Sequence, residues 1–297
     1  MSSKFYYQVY LPSIKDYIRI SEITNQELLV IVKHNSNSDN VGLSDYLEQL
    51  ILTKLHPDFS SVDLHRIDKI CILLTIIMVC INPKTTLQST CTQTQEDFSI
   101  NIDIGDMLNI ISNVNYDICS STTGDITVTY RYPAELLVDT TSIHKLIYSI
   151  IIKDITYYTH DMTQSQLNDI VDNLPGNLFT SIVSSVKTMN TQFSHEKILE
   201  IKSPYVEETP RIVDMNLMNN DMLDIIFILF GSDLNGFYEL QFAMMHNYNF
   251  SPQHYMDITP IESQMFYKYM KSDVAQRNEH VEQMKKDGQS PVSNITG

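Results

Sequence analysis

An α+β fold dominated by helix is the class this sequence predicts. It has a small N-terminal β-hairpin, short central strands packed on helices, and a helical C-terminal half. Three observations point there. Strict apolar–polar alternation, the mark of a half-buried strand, is confined to short stretches at residues 6–11, 17–20, 98–104 and 126–130. Much of the remainder places apolar residues at three- and four-residue steps, the period of an amphipathic helix. Glycine (8) and proline (10) are scarce among 297 residues, too few for the many tight turns of a β-sandwich.

Residues 6–11 and 17–20 flank Pro12-Ser13-Ile14-Lys15 and read as a hairpin. Thr24-Asn25-Gln26-Glu27 matches a capping box: the threonine oxygen takes one unpaired N–H, and the glutamate reaches back to the cap. A helix is expected over 25–34, a polar loop over 34–40, and a second helix over 43–55 carrying Leu43, Leu47, Leu50 and Ile51 at helical spacing. Ser61 is the expected cap of a long buried helix that reaches Ile81, where Pro83 blocks continuation. The apolar run 70–81 is well short of the roughly twenty residues that a membrane span needs. It is therefore read as a core helix.

Residues 87–94 read as a polar connection built around a turn at Cys91. Phe98, Ile100, Ile102 and Ile104 alternate with Ser99, Asn101 and Asp103 as a strand with one buried face. Helical period returns over 106–114, and Gly124-Asp125 is a turn ahead of the strand 126–130. Pro133 marks a shift in composition and the expected domain boundary. It separates an N-terminal domain (1–133, with a β insert at about 87–131) from a mainly helical C-terminal domain (134–286) and a flexible tail (287–297).

Beyond that boundary, helices are expected behind the capping box Thr163/Gln166, over 178–189, and over 222–230 with a stop at Gly231. Residues 197–201 and 212–217 read as a short strand pair. Thr259-Pro260-Ile261-Glu262 is the clearest helix start, with Thr at the N-cap, Pro at the first helical position and Glu at the third. That helix should run to about residue 286. Met270, Val274, Arg277, Val281 and Met284 follow a coiled-coil-like step along it, although an ordinary amphipathic helix lying on its own domain is the favoured reading.

The net charge of −16, with only five arginines and no cluster of cations, argues against nucleic acid and anionic membrane as partners. Cys71 and Cys80 fall in the most apolar helix and behave as small hydrophobes, which fits a reducing compartment without disulfides. Cys91 and Cys119 each precede a threonine by three residues. A zinc ribbon needs two Cys-x-x-Cys pairs, so half of the ligands are missing and no metal is expected. Neither phosphate-binding glycine motif occurs, nor a nucleophile elbow. His195-Glu196 does not extend to a zinc-protease motif, and His246 and His254 are separated by Ser251-Pro252. No catalytic, cofactor-binding or metal-ligating residue is assigned, and no cofactor is expected. The 17 tyrosines, in runs at Tyr6-Tyr7, Tyr157-Tyr158 and Tyr267 to Tyr269, together with 14 methionines including Met244-Met245, suit an adaptable protein-contact surface.

Several stretches of residues 5–114 resemble a known family. They are Val9-Tyr10-Leu11-Pro12-Ser13, the strand Ile18-Arg19-Ile20, the helix Thr24-x-x-Glu27-Leu28-Leu29, and Asp63-Leu64-His65-Arg66-Ile67-Asp68-Lys69 at the head of the long helix. Cys91 and the strand Phe98-Ser99-Ile100-Asn101-Ile102-Asp103-Ile104 complete the set. Together they resemble the T4-type bacteriophage baseplate hub and hub-assembly proteins. The resemblance implies a non-enzymatic hub subunit or assembly factor of a contractile tail. Its partners would be other tail and baseplate proteins, with oligomerisation left open. It would act in the host bacterial cytoplasm during assembly or stay in the virion baseplate, as a permanent component or a transient chaperone. Against this stand an intracellular helical adaptor and a small hydrolase with a dispersed site.

Overall fold

The computed structural model describes residues 5–286 apart from 92, 114–115, 117–118, 132, 138–145, 195–196, 206–210, 215–219 and 232. The tail 287–297, the pair His195-Glu196 and the side chains of Cys119, Val186 and Met284 lie outside the described residues.

The fold is α+β, as the sequence predicts. Strands β1 (Tyr6–Leu11) and β2 (Asp16–Ser21) form the expected antiparallel hairpin, with Leu11 opposite Asp16. Val9, Leu11, Ile18 and Ile20 alternate onto one buried face. The capping box at Thr24 opens α1 (Asn25–Ser36). Helix α2 (Asn40–Lys54) begins three residues before the predicted start, because the Asp39 carboxylate accepts the Gly42 N–H at 3.0 Å. The first turn it adds carries Val41 exposed, so it leaves no trace in the apolar pattern.

The long helix α3 (Arg66–Cys80) packs against β1 and is buried along almost its whole length. Its start corrects the expectation at Ser61. The chain makes a 3₁₀ turn at Pro57–Phe59 and runs on to His65, where Asp68 closes the cap by accepting the His65 N–H at 2.9 Å.

The connection expected at 87–94 is instead mostly strand. Strand β3 (Lys84–Thr90) pairs antiparallel with β4 (Asp97–Asp103), and the Cys91 turn joins them. Only Leu87 of β3 is buried. A polar, threonine-rich outer strand gives no alternating apolar signal, so its partner specifies it. Ile104 belongs to helix α4 (Ile104–Ser112), because Asp103 ends β4 as N-cap and accepts the Gly105 N–H at 3.0 Å.

Strands β5 (Cys119–Thr123) and β6 (Ile126–Tyr130) meet at a two-residue turn in which Gly124 sits at φ +58°. Past Pro133 the chain makes two further strands that helical period does not foretell, β7 (Ile147–Ile152) and β8 (Ile155–Tyr158). The sheet order is β5-β6-β7-β8, all antiparallel, so strands from both sides of Pro133 share it. Strand β7 is interior, and its isoleucine-rich run lacks the polar alternation of a one-sided strand.

Helices α5 (Gln164–Asp172) and α6 (Gly176–Ser194) follow, the first opened by the predicted Thr163/Gln166 box and the second packed on β5. The predicted pair β9 (Lys197–Ile201) and β10 (Arg211–Asp214) forms. Helix α7 (Asp221–Phe230) ends at Gly231, whose φ of +85° an L side chain rarely adopts. Helices α8 (Leu234–Tyr248), α9 (Pro252–Asp257) and α10 (Pro260–Lys286) are the last of the described residues' elements. One hydrophobic core runs from Val9 to Phe230, and a second small one joins Leu29, Phe237, Met244 and Tyr255. Among the described residues, no helix is long and apolar enough to cross a membrane.

Candidate protein-contact surface

Two stretches that carry the resemblance meet in space. Ser13, in the hairpin turn, donates its N–H (3.1 Å) and its hydroxyl (2.5 Å) to the two carboxylate oxygens of Asp68. Asp68 is fully buried in the first turn of α3. Burial raises its carboxyl above the usual range, against the opposing effect of the Ser13 and His65 hydrogen bonds. The next members of the same stretch bind the segment after Pro133. Arg66 is buried and donates from Nε to the Leu136 carbonyl (2.8 Å) and from a terminal nitrogen to Asn220 Oδ1 (3.1 Å). Its desolvation lowers the guanidinium to about 10. Lys69 pairs with Glu48 and donates to the Ala134 carbonyl at 2.6 Å, while Glu48 accepts the Leu136 N–H at 2.7 Å. Arg66, Asp68 and Lys69 thus tie the hairpin, α2, α3 and the 134–136 segment together.

Helix α1 ties down the C-terminal helices with two asparagines. The buried Asn25 amide donates to the Tyr255 carbonyl (2.8 Å) and to Ser263 Oγ, and its backbone N–H bonds the Ile258 carbonyl at 2.9 Å. Asn35 donates to the carbonyls of Phe227 (2.6 Å) and Gly231 (2.9 Å), which closes the end of α7. These contacts hold the end of α7 and helices α9 and α10 against the N-terminal half, and Leu29 of α1 shares a small apolar cluster with Phe237 and Met244 of α8.

The outer side of that layer is aromatic. Phe237 and Met244 of α8 face inward, whereas Tyr238 and Phe242 face outward, with Phe242 70% exposed. Phe242 stacks on His246 with ring centroids 5.9 Å apart. Phe250 lies between His254 (4.5 Å) and Phe266 (5.4 Å), with Tyr248 beside them. Helix α10 adds Met265, Phe266 and Tyr269, the last 65% exposed. A helix apolar on two faces has only one of them covered by its own chain. Because the two faces blur the helical period, α8 escapes a sequence reading. Met244 is completely buried, so of the predicted Met244-Met245 contact pair the first member is core.

The favoured expectation for the far end of α10 is also corrected. Every described side chain over 271–283 is exposed, so this half projects instead of lying on the domain. Arg277 pairs with Asp273 one turn earlier at 2.7 Å.

Cys91 is buried in the β3–β4 turn, and hydrogen bonds from Ser203 and Thr94 lower its thiol. Among the described residues no three His, Cys, Asp or Glu side chains converge as a metal site. A hollow of about 550 Å³ holds Glu22, Glu27, Asp257, Glu262 and Lys54. Each carboxylate in it already has a structural partner. Glu27 and Glu262 accept the Thr24 and Thr259 cap N–H groups, both at 2.8 Å, and Glu27 pairs with Lys54 at 2.6 Å. Glu22 accepts the Tyr7 hydroxyl at 2.6 Å, and Asp257 accepts the Gln253 amide at 2.8 Å.

A family model described as T4 bacteriophage base plate protein matches residues 4–214, well over half of the chain. The chain belongs to this family. No curated protein and no solved structure matches it. In this baseplate protein the family match reaches about a hundred residues past the stretch whose resemblance the sequence shows, through the four-stranded sheet to β10. The Ser13–Asp68 tie, the Lys69 contacts and the Arg66–Leu136 bond lie inside the matched region, whereas Asn220, the other Arg66 partner, lies beyond it. The aromatic face of α8 and α10 lies beyond it.

Proposed function

We propose that this baseplate protein serves as a hub subunit or hub-assembly factor of a contractile tail, acting by protein–protein contact. The observation that carries this reading is the outward aromatic face of α8 and α10, the latter fastened to α1 through Asn25. Apolar surface left in water is a driving force for association, and aromatic residues dominate the energetics of protein contacts. The partners are other tail and baseplate proteins. They are met in the host bacterial cytoplasm during assembly, and a permanent subunit would stay with them in the baseplate. A factor that binds only the assembling state shifts that equilibrium by mass action, with no covalent step.

The test uses the full chain, tagged and expressed in infected cells, beside a Phe242→Ser/Tyr269→Ser double variant. Both positions are exposed, so the variant should melt like the parent. The parent should recover tail components, identified by mass spectrometry, and the variant should recover far less. Recovery of no tail component by the parent, or undiminished recovery by the folded variant, refutes the proposal. Presence in purified virions distinguishes a subunit from a transient factor.

A further inference from the structure

A second surface, independent of the aromatic helices, lies at the free edge of the four-stranded sheet. Strand β8 is the outer strand, and no strand beyond it occurs among the described residues. All four of its residues, Ile155-Thr156-Tyr157-Tyr158, are exposed, with Ile155 57% exposed. Such an edge offers backbone N–H and C=O groups to any passing strand, and proteins usually blunt it with charge or proline. Strand β8 has neither.

The turn before it fixes which groups face out. Ile152 pairs with Ile155 across Lys153 and Asp154, and both turn residues have positive φ (+47° and +67°), as a two-residue type I′ turn requires. The pair closing such a turn exchanges both hydrogen bonds, and hydrogen-bonded and non-hydrogen-bonded pairs then alternate. The Ile152–Ile155 and Ile150–Tyr157 pairs therefore bond inward, and the N–H and C=O of Thr156 point away from β7.

A groove of about 530 Å³ runs along this edge, lined by Thr156, Tyr157, Tyr158, Asp161, Met162, Gln166, Asp169 and Ile170. Consecutive strand residues point to opposite faces. A hollow that touches three in a row therefore lies against the edge and not on one face. Met162 and Ile170 supply apolar wall, Asp161 and Asp169 supply negative charge, and no lysine or arginine is among the described lining residues. A second copy of the chain would bring the same carboxylates to the seam, on a molecule of net charge −16.

We infer that the β8 edge and its groove bind an extended segment of a partner protein in which apolar and basic side chains alternate. The segment adds a fifth strand through the Thr156 backbone, sets its apolar residues on Met162 and Ile170, and places lysine or arginine beside Asp161 and Asp169.

The probe is a fluorescein-labelled octapeptide of alternating lysine and valine, titrated into the full chain by anisotropy at low salt. The same peptide with glutamate for lysine is the comparison. The lysine peptide should bind saturably, and at least about tenfold more tightly than the glutamate peptide. Hydrogen exchange should slow at residues 155–158, a change that diffuse attraction to an acidic protein would not produce. Thr156→Pro removes an outward N–H without touching the β7 ladder, and should abolish binding in a protein with unchanged circular dichroism. Asp161→Asn/Asp169→Asn should weaken binding about fivefold. The inference fails if the lysine peptide does not bind, if the two peptides bind alike, or if exchange at 155–158 is unaltered. It fails equally if folded Thr156→Pro binds as the parent does. Should Thr156→Pro not fold, undiminished binding by the Asp161/Asp169 variant overturns it.

Discussion

The Ser13–Asp68 tie is the contact by which the two stretches of family sequence hold each other, and its strength is measurable. A hydrogen bond to a charged group contributes about 1.5–3 kcal/mol, so Ser13→Ala, which removes only the hydroxyl bond, should destabilise by about 2 kcal/mol. Asp68→Ala strips the acceptor from three donors, the Ser13 N–H, the Ser13 hydroxyl and the His65 N–H, and opens the cap of α3. Relief of a buried charge offsets part of that loss, which leaves about 3–5 kcal/mol. In the double variant the hydroxyl bond can be lost only once. The two single effects should therefore exceed the double effect by about 2 kcal/mol. Urea unfolding of the four proteins, followed by far-ultraviolet circular dichroism, gives each free energy. If the single effects add to within about 0.5 kcal/mol, the hairpin is not held to α3 by this bond and the reasoning is wrong.

Three further outcomes follow from the same geometry. Asp154 at φ +67° carries the Cβ penalty of left-handed backbone, about 1–2 kcal/mol, whereas glycine would add back about 0.5–1 kcal/mol of chain entropy. Asp154→Gly should thus raise stability by up to about 1 kcal/mol in thermal melts, and a lowered midpoint would contradict the type I′ assignment. Asn25→Ala removes two buried hydrogen bonds and should cost about 2–3 kcal/mol, with α9 and α10 becoming sites of limited proteolysis before the rest of the chain; uniform cleavage would contradict the clamp. Burial lowers the His65 imidazole below its ordinary value, with Asp68 and Asp63 opposing and Arg131 and Lys69 assisting. The unfolded chain therefore binds that proton first, and stability is lost as pH falls below about 6.5. His65→Gln should flatten the fall in unfolding free energy between about pH 7 and pH 5, and an unchanged slope would remove His65 as its source. Asp68, whose carboxyl is raised, acts with the opposite sign, since the folded chain takes up its proton first.

Local chemistry made much of this fold legible. The boxes at Thr24/Glu27, Thr163/Gln166 and Thr259/Glu262 need only a side chain that reaches three residues along the chain, and each opens a helix where it is read. The alternation of Phe98, Ile100 and Ile102 needs only a sheet face to bury, and Gly231 needs only its own φ. Several of the misplaced elements depend on something distant. At the head of α3, Asp68 caps His65 three residues away and is also held by a serine 55 positions earlier, a contact no local pattern carries. Strand β3 exists because β4 returns to pair with it, and β7 because β6 lies beside it from across Pro133.

For the surfaces the division is the same. An acidic, tyrosine-rich α+β chain with closed helix starts and a baseplate resemblance can be read from residue order alone, since composition, period and caps are properties of neighbouring residues. It takes the packed fold to make Met244 core while Phe242 is exposed, to let α10 project past Met270, and to leave β8 as an edge. Which side of an element meets water is set by what packs on its other side, and that partner is brought there by the fold.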